Sequence, residues 1–156
     1  MPSDEELVRD YLRNKILKNP IPADPIKDIQ ISELFQNPPN CLVPRNSSDR
    51  EWYFFIPLGE GFDQKTNEIQ CVGNGEGFWK FVGDSYPIRS TRGEVIALKK
   101  ESVYFRGRIT KPKKTHWAME LYQLPLECWN NFKLNQQSVE RWSVIKIRRG
   151  KSYDPD

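Results

Sequence analysis

The sequence predicts an α+β domain, a twisted antiparallel β-sheet flanked by a few helices. Three observations carry that expectation. A capped amphipathic helix opens the chain, aromatic-rich and β-branched runs recur from Glu51 onward, and no β-α-β alternation asks for a doubly wound parallel sheet. At 156 residues, 37% hydrophobic, with 5 Trp, 6 Tyr and 8 Phe, the chain can build one real core. Residues 1–150 are assigned to that single domain and 151–156 to a flexible C-terminal tail.

Ser3 followed by Glu6 has the capping-box spacing, in which each side chain satisfies a backbone N–H near the other. Leu7, Val8, Tyr11, Leu12 and Ile16 then recur at helical spacing, and Asn19-Pro20 ends the helix. Six prolines between residues 19 and 50 remove ladder donors, so that stretch is expected to wrap, with one short helix near Ile31–Phe35. Strands are expected at 51–56 (EWYFFI), 77–82 (GFWKFV), 95–105 (VIALKKESVYF), 115–124 (THWAMELYQL) and 142–149 (WSVIKIRR), with a glycine-rich polar connection before the second. In the last run Ile145 and Ile147 share one face and Lys146 and Arg148 the other.

Charge is unevenly distributed. Residues 1–79 hold 8 Lys/Arg against 13 Asp/Glu, whereas residues 80–151 hold 16 against 6. A basic half of that kind attracts polyanions. Lys80, Lys99, Lys100, Arg106, Arg108, Lys111, Lys113 and Lys114 lie within or between expected strands, interleaved with aromatic residues at 78, 79, 81, 104, 105 and 117. Strands can hold such cations at fixed spacing along a phosphate backbone, and a strand edge can enter a major groove. The run KPKK (111–114) fits a phosphate-contacting loop or part of a nuclear import signal, although a solvated loop has the same composition.

Catalysis and metal chemistry find little support. His116 is the sole histidine, it lies beside Trp117 in an expected strand without a nucleophile motif, and a structural or surface role explains it best. Asp4, Glu5 and Glu6 suit a helix N-terminus. GNGEG (73–77) lacks the strand-turn-helix context of a phosphate cradle. Cys41, Cys71 and Cys128 are far apart, an odd set without C-x-x-C spacing, so neither disulfides nor zinc are indicated and a reducing compartment is expected. The acidic N-terminus is unlike a signal peptide, and the apolar run near Trp52–Leu58 is too short to span a bilayer. No enzyme activity, cofactor, metal or membrane association is expected.

The order of the motifs SDEELVRDYLRNKI, EWYFFIP, GFWKFVGD, ALKKESVYFRGRITKPKKTHWAMELYQL and WSVIKIRR is similar to that of the plant NAC domain over nearly the whole chain. The resemblance implies a twisted antiparallel sheet with flanking helices. It also implies a nuclear transcription regulator that binds double-stranded DNA, pairs with itself or with other NAC proteins, and needs no metal. The family's Trp-Lys-Ala-Thr-Gly strand approaches the major groove edge-on. Residue by residue, this makes Lys80 a charged contact, Trp79 its packed anchor and Gly83 a turn or close-approach position, with Lys99, Lys100, Lys111, Lys113 and Lys114 as phosphate contacts. Because neighbours on a strand face opposite sides, Trp79 is expected in the core and Lys80 outside it.

The chain also departs from the family pattern. Phe81, Val82, Gly83, Asp84, Ser85 and Tyr86 replace a stretch that carries a threonine and a lysine in the family, Val72 falls where an arginine is usual, and residues 58–68 are no longer basic. Each lost phosphate contact should flatten the salt dependence of binding by about one unit of slope. The sequence begins inside the helix motif, without the family's Leu-Pro-Pro-Gly-Phe-Arg-Phe segment, so Glu6 is the dimer-interface candidate but lacks the arginine that pairs with it in relatives. Two further expectations follow: a NAC-like protein-interaction module that modulates related factors, and a single-strand or RNA binder with Tyr104 or Phe105 exposed for stacking.

Overall fold

A computed structural model of the chain describes residues 2–22, 26–43, 50–57, 69–73, 75–125, 127 and 141–150. The expected tail at 151–156 and the changed loop at 58–68 lie outside the described residues.

The capping residues form half of the box that their spacing predicts, and the returning contact is between side chains rather than to the Ser3 N–H. The Glu6 N–H donates to Ser3 Oγ at 3.1 Å, and the Ser3 hydroxyl donates to Glu6 Oε1 at 3.1 Å. The helix then runs through Asp4–Glu6, Leu7–Leu12 and Arg13–Leu17, and its middle piece is wound in wider π turns, with the Arg13 N–H reaching the Val8 carbonyl. It ends where expected, on Lys18 in the left-handed region at φ 59°, ahead of Asn19-Pro20. A second helix, Ile31–Gln36, is opened by Gln30 and Glu33 in a reciprocal capping box, and a one-turn helix, Pro39–Leu42, follows with proline at its start.

The described strands are β1 (Lys27–Asp28), β2 (Glu51–Pro57), β3 (Ile69–Val72), β4 (Gly77–Arg89), β5 (Val95–Arg106), β6 (Lys113–Gln123) and β7 (Trp142–Arg149). They form one sheet in the order β1-β2-β7-β6-β5-β4-β3, antiparallel throughout except for the parallel β1–β2 pair. The sheet is thus mixed, and it includes two short strands, β1 and β3, in stretches where the sequence predicts connections. β4 also runs seven residues beyond the expected end at Val82.

Both faces of the sheet are covered. On one, Trp79, Phe81, Tyr104, Trp117, Met119, Leu121, Ile145 and Ile147 pack with Leu34 and Val43. On the other, the N-terminal helix lays Leu7, Val8, Tyr11, Leu12 and Ile16 against Phe55, Ile88, Ala97, Tyr122 and Val144. Each fully buried Val, Leu, Ile or Phe side chain contributes roughly 1.5–3 kcal/mol, so the helix and the sheet stabilise each other. Gly77 is required by packing: a Cβ there would overlap the Tyr104 phenol and lie 2.6 Å from the Phe105 carbonyl oxygen. That absence lets Tyr104 lie beside Trp79, with ring centroids 5.2 Å apart.

Candidate nucleic-acid interface

β4 sets Trp79 and Lys80 on opposite faces. Trp79 is fully buried at 0% exposure, and Lys80 is exposed. In register, Lys80 lies between Ile69 of β3 and Val103 of β5. β3 accompanies β4 from Gly77 to Lys80, and beyond Lys80 no described strand lies beside the outer edge of β4. Every residue from Val82 to Pro87 is exposed. The register with β5 breaks between Val82 and Tyr86, and Gly83 sits in that break at φ 70°, a conformation that favours glycine. Val72 is buried at 0% exposure, so its side chain makes no surface contact.

The β5–β6 hairpin brings several of the expected cations to one end of the sheet. Arg106 pairs with Lys113 and with Gly77, while Phe105 pairs with Lys114 and with Phe78, so the hairpin end lies beside the start of β4. The Gly107 N–H donates to the Glu76 carbonyl at 2.9 Å and ties the two hairpin turns together. Arg108, Lys111, Lys113 and Lys114 are exposed, and Arg106 is half-buried. Lys80 reaches this region on the face that also carries Phe78, which stacks on Phe105 at 5.3 Å between centroids.

Two expected contacts are placed elsewhere. Lys100 points to the opposite face from Lys80, half-buried, with its ammonium 5.2 Å from the centroid of the Phe81 ring. Lys99 corrects the expectation more strongly. Only 8% exposed, its ammonium lies 3.2 Å from Asp4 and 3.3 Å from Glu120, and it is spent inside the fold rather than offered to phosphate.

The carboxylates holding Lys99 belong to a network that sequence reasoning missed. Glu120, 5% exposed, is also 3.3 Å from Lys146 and 3.2 Å from Arg148, and Lys146 reaches Glu51 at 3.4 Å. The Tyr122 hydroxyl proton is shared between Asp4 at 2.8 Å and Glu120 at 2.9 Å. Burial alone would raise the Glu120 carboxyl, but the Tyr122 hydroxyl and the charges of Lys146, Lys99 and Arg148 outweigh it and hold the group below the usual carboxylate range. Asp4 is lowered in the same way, by Tyr122 and Lys99 against burial. Lys99 is raised, because Glu120 and Asp4 outweigh its own desolvation.

Glu6 is exposed, and its carboxylate accepts from the Ser3 hydroxyl. Tyr104 is 2% exposed, with burial as the main cause pushing its phenol up to about 12, and Phe105 is half-buried against Phe78. The stacking platform expected from Tyr104 and Phe105 is therefore reduced to part of one ring. No described helix is long and apolar enough to cross a membrane, and no three described His, Cys, Asp or Glu residues cluster as a metal site.

The sequence that builds this helix, this Trp-Lys strand and this basic hairpin is similar to those of known proteins. The family model described as "No apical meristem (NAM) protein" matches residues 1–124. The chain is 36% identical over 127 residues to NAC domain-containing protein 58 of Oryza sativa subsp. japonica, covering 79% of this chain and 31% of that protein. It is 34% identical over 148 residues to the transcription factor JUNGBRUNNEN 1 of Arabidopsis thaliana, covering 94% and 50%. NAC transcription factor 47 of the same plant is 32% identical over 127 residues, covering 79% and 34%. The chain belongs to the NAC family of plant transcription regulators, which is not an enzyme class. It spans between 31% and 50% of the length of these three relatives.

Proposed function

We propose that this domain binds duplex DNA in the nucleus and regulates transcription, with the exposed outer edge of β4 at the major groove and the β5–β6 hairpin on the phosphates. The observation that carries the reading is the gathering of Lys80, Arg108, Lys111, Lys113 and Lys114 at one end of the sheet, where none has a carboxylate within ion-pairing distance among the described residues. Unneutralised cations of this kind release counterions on meeting a polyanion, which gives affinity that falls steeply with salt. Trp79 holds the strand that carries Lys80, and Gly83 shapes the bulge that turns the exposed half. Arg106 supports the hairpin from a half-buried position, and Lys100 reaches phosphate only from the far face. Asp84 on the exposed segment makes the flanking cations, rather than that segment, the source of attraction.

A titration of duplex binding against salt tests this reading. Steep loss of affinity, with a slope reduced by about one unit in Lys80→Ala, is the expected result. Absence of duplex affinity in dilute buffer overturns it.

A specific observation favours the second reading, a module that binds a related NAC subunit. Val82 and Tyr86, 56% and 40% exposed, flank the Gly83 bulge on β4, and Val95 of β5 is 39% exposed. Under this reading Val82→Glu abolishes association with a NAC partner while Lys80→Ala leaves it intact, as read by co-sedimentation. Pairing through Glu6 is part of the same proposal and predicts an arginine of the partner opposite it.

A further inference from the structure

The β5–β6 turn displays an apolar side chain that no core uses. Ile109 is 51% exposed at the apex of the hairpin. The turn beneath it is well determined: the Lys111 N–H donates to the Arg108 carbonyl at 2.9 Å and closes the four residues Arg108 to Lys111. Gly107, at φ 87°, precedes it, and a Cβ there would lie 2.9 Å from the Lys111 carbonyl oxygen. Gly107 is in turn tied to the neighbouring hairpin by its bond to Glu76.

Single exposed apolar residues are ordinary on protein surfaces. This one differs in its setting. Residues 102–119 contain no Asp or Glu, and Arg106, Arg108, Lys111, Lys113 and Lys114 surround the apex in sequence. A β-branched side chain, stiff at χ1, is thus held outward on a fixed turn between cations. Positive charge on both sides of an apolar tip complements two phosphate backbones with a groove between them. The minor groove is about 6 Å wide, enough for a side chain, and isoleucine is among the residues that wedge between base steps there.

We propose that Ile109 is an apolar wedge that enters the minor groove of the bound duplex while Arg108 and Lys111 contact the flanking phosphates. The inference rests on the duplex-binding reading above and adds a contact, and a DNA distortion, that the β4 edge does not provide. The wedge partly unstacks the base step it enters and bends the duplex around the hairpin.

The test measures affinity, salt slope and duplex bending, the last by energy transfer between end-labelled strands, for the wild-type chain, Ile109→Ser, Ile109→Leu and Lys111→Ala. Ile109→Ser is expected to lose affinity about tenfold at every salt concentration, from the apolar burial forgone. Its slope stays unchanged and the bend disappears, while Ile109→Leu keeps both affinity and bend. Lys111→Ala lowers the slope by about one unit. If Ile109→Ser binds and bends DNA as the wild type does while Lys111→Ala changes the slope, the wedge is wrong and the duplex reading stands. If the wild-type chain ignores duplexes in dilute buffer, both fall. If Ile109→Ser weakens binding to phosphatidylserine–phosphatidylcholine vesicles but not to duplex, the tip is a membrane contact and the wedge is overturned.

Discussion

Lys80 and Lys99 lie in adjacent strands, yet one side chain is exposed and the other is locked in the fold. Around Lys99 the charges cancel: Lys99, Lys146 and Arg148 are matched by Asp4, Glu51 and Glu120. At the hairpin end, Arg108, Lys111, Lys113 and Lys114 meet no such partners among the described residues. Two of the neutralising carboxylates, Asp4 and Glu51, come from the acidic half of the sequence. Folding therefore uses acidic groups of one half to silence part of the basic half, and leaves the remainder concentrated in one place. The field a partner meets is set by which cations lack a carboxylate, more than by the net charge of +3.

The largest way to break this contrast is Glu120→Ala, which leaves Lys99 with Asp4 alone and Lys146 with Glu51 alone and should cost about 3 kcal/mol in urea unfolding. Next comes Asp4→Ala, which removes the Lys99 and Tyr122 contacts at the helix start and should cost about 1–2 kcal/mol, with amide exchange rising first in residues 4–17. The same network sets a pH dependence. The lowered Asp4 and Glu120 carboxyls bind fewer protons in the folded than in the unfolded chain, so their stabilisation is full above the ordinary carboxylate values near 4 and is lost as pH falls through the lowered native ones. Lys99, raised, adds stability below the ordinary lysine value near 10.4 that is lost as pH rises through its native value. A stability plateau bounded at both ends is expected by thermal scans across pH, with a shallower acid limb in Glu120→Gln. The smallest stability effect belongs to Lys80→Ala, which should leave the urea midpoint in place while flattening the salt dependence of duplex binding. A large shift in that midpoint would show that Lys80 serves the fold after all.

What was legible in the sequence follows from the range of the forces involved. The cap at Ser3, the helix stop at Asn19-Pro20 and the strands β2, β4, β5, β6 and β7 are written in local periodicity, and the Trp79/Lys80 split follows from strand alternation alone. β1 and β3 were not legible: two and four residues carry too little pattern, and their pairing is decided by Phe54, Phe55 and the start of β4. Lys99 and Lys100 look alike as a dipeptide. Only the cross-strand register, with Lys99 opposite Tyr122 and Glu120 opposite Lys146, assigns the first to an ion-pair network and the second to the Phe81 face. A buried glutamate flanked by Met119 and Leu121 was the one available hint, and alternation disguised it as a surface position.

The union of Asp4 with Tyr122 joins groups 118 residues apart, and its bond with Lys99 spans 95. On the ribosome, at about 5–20 residues per second, the opening helix emerges roughly ten seconds before the strands that receive it. During that interval Leu7, Val8, Tyr11, Leu12 and Ile16 have no sheet to cover them, so the nascent chain carries an oily, unsheltered segment that invites chaperone capture. High contact order of this kind also slows refolding, and the docking of that first helix becomes one of the last events in maturation.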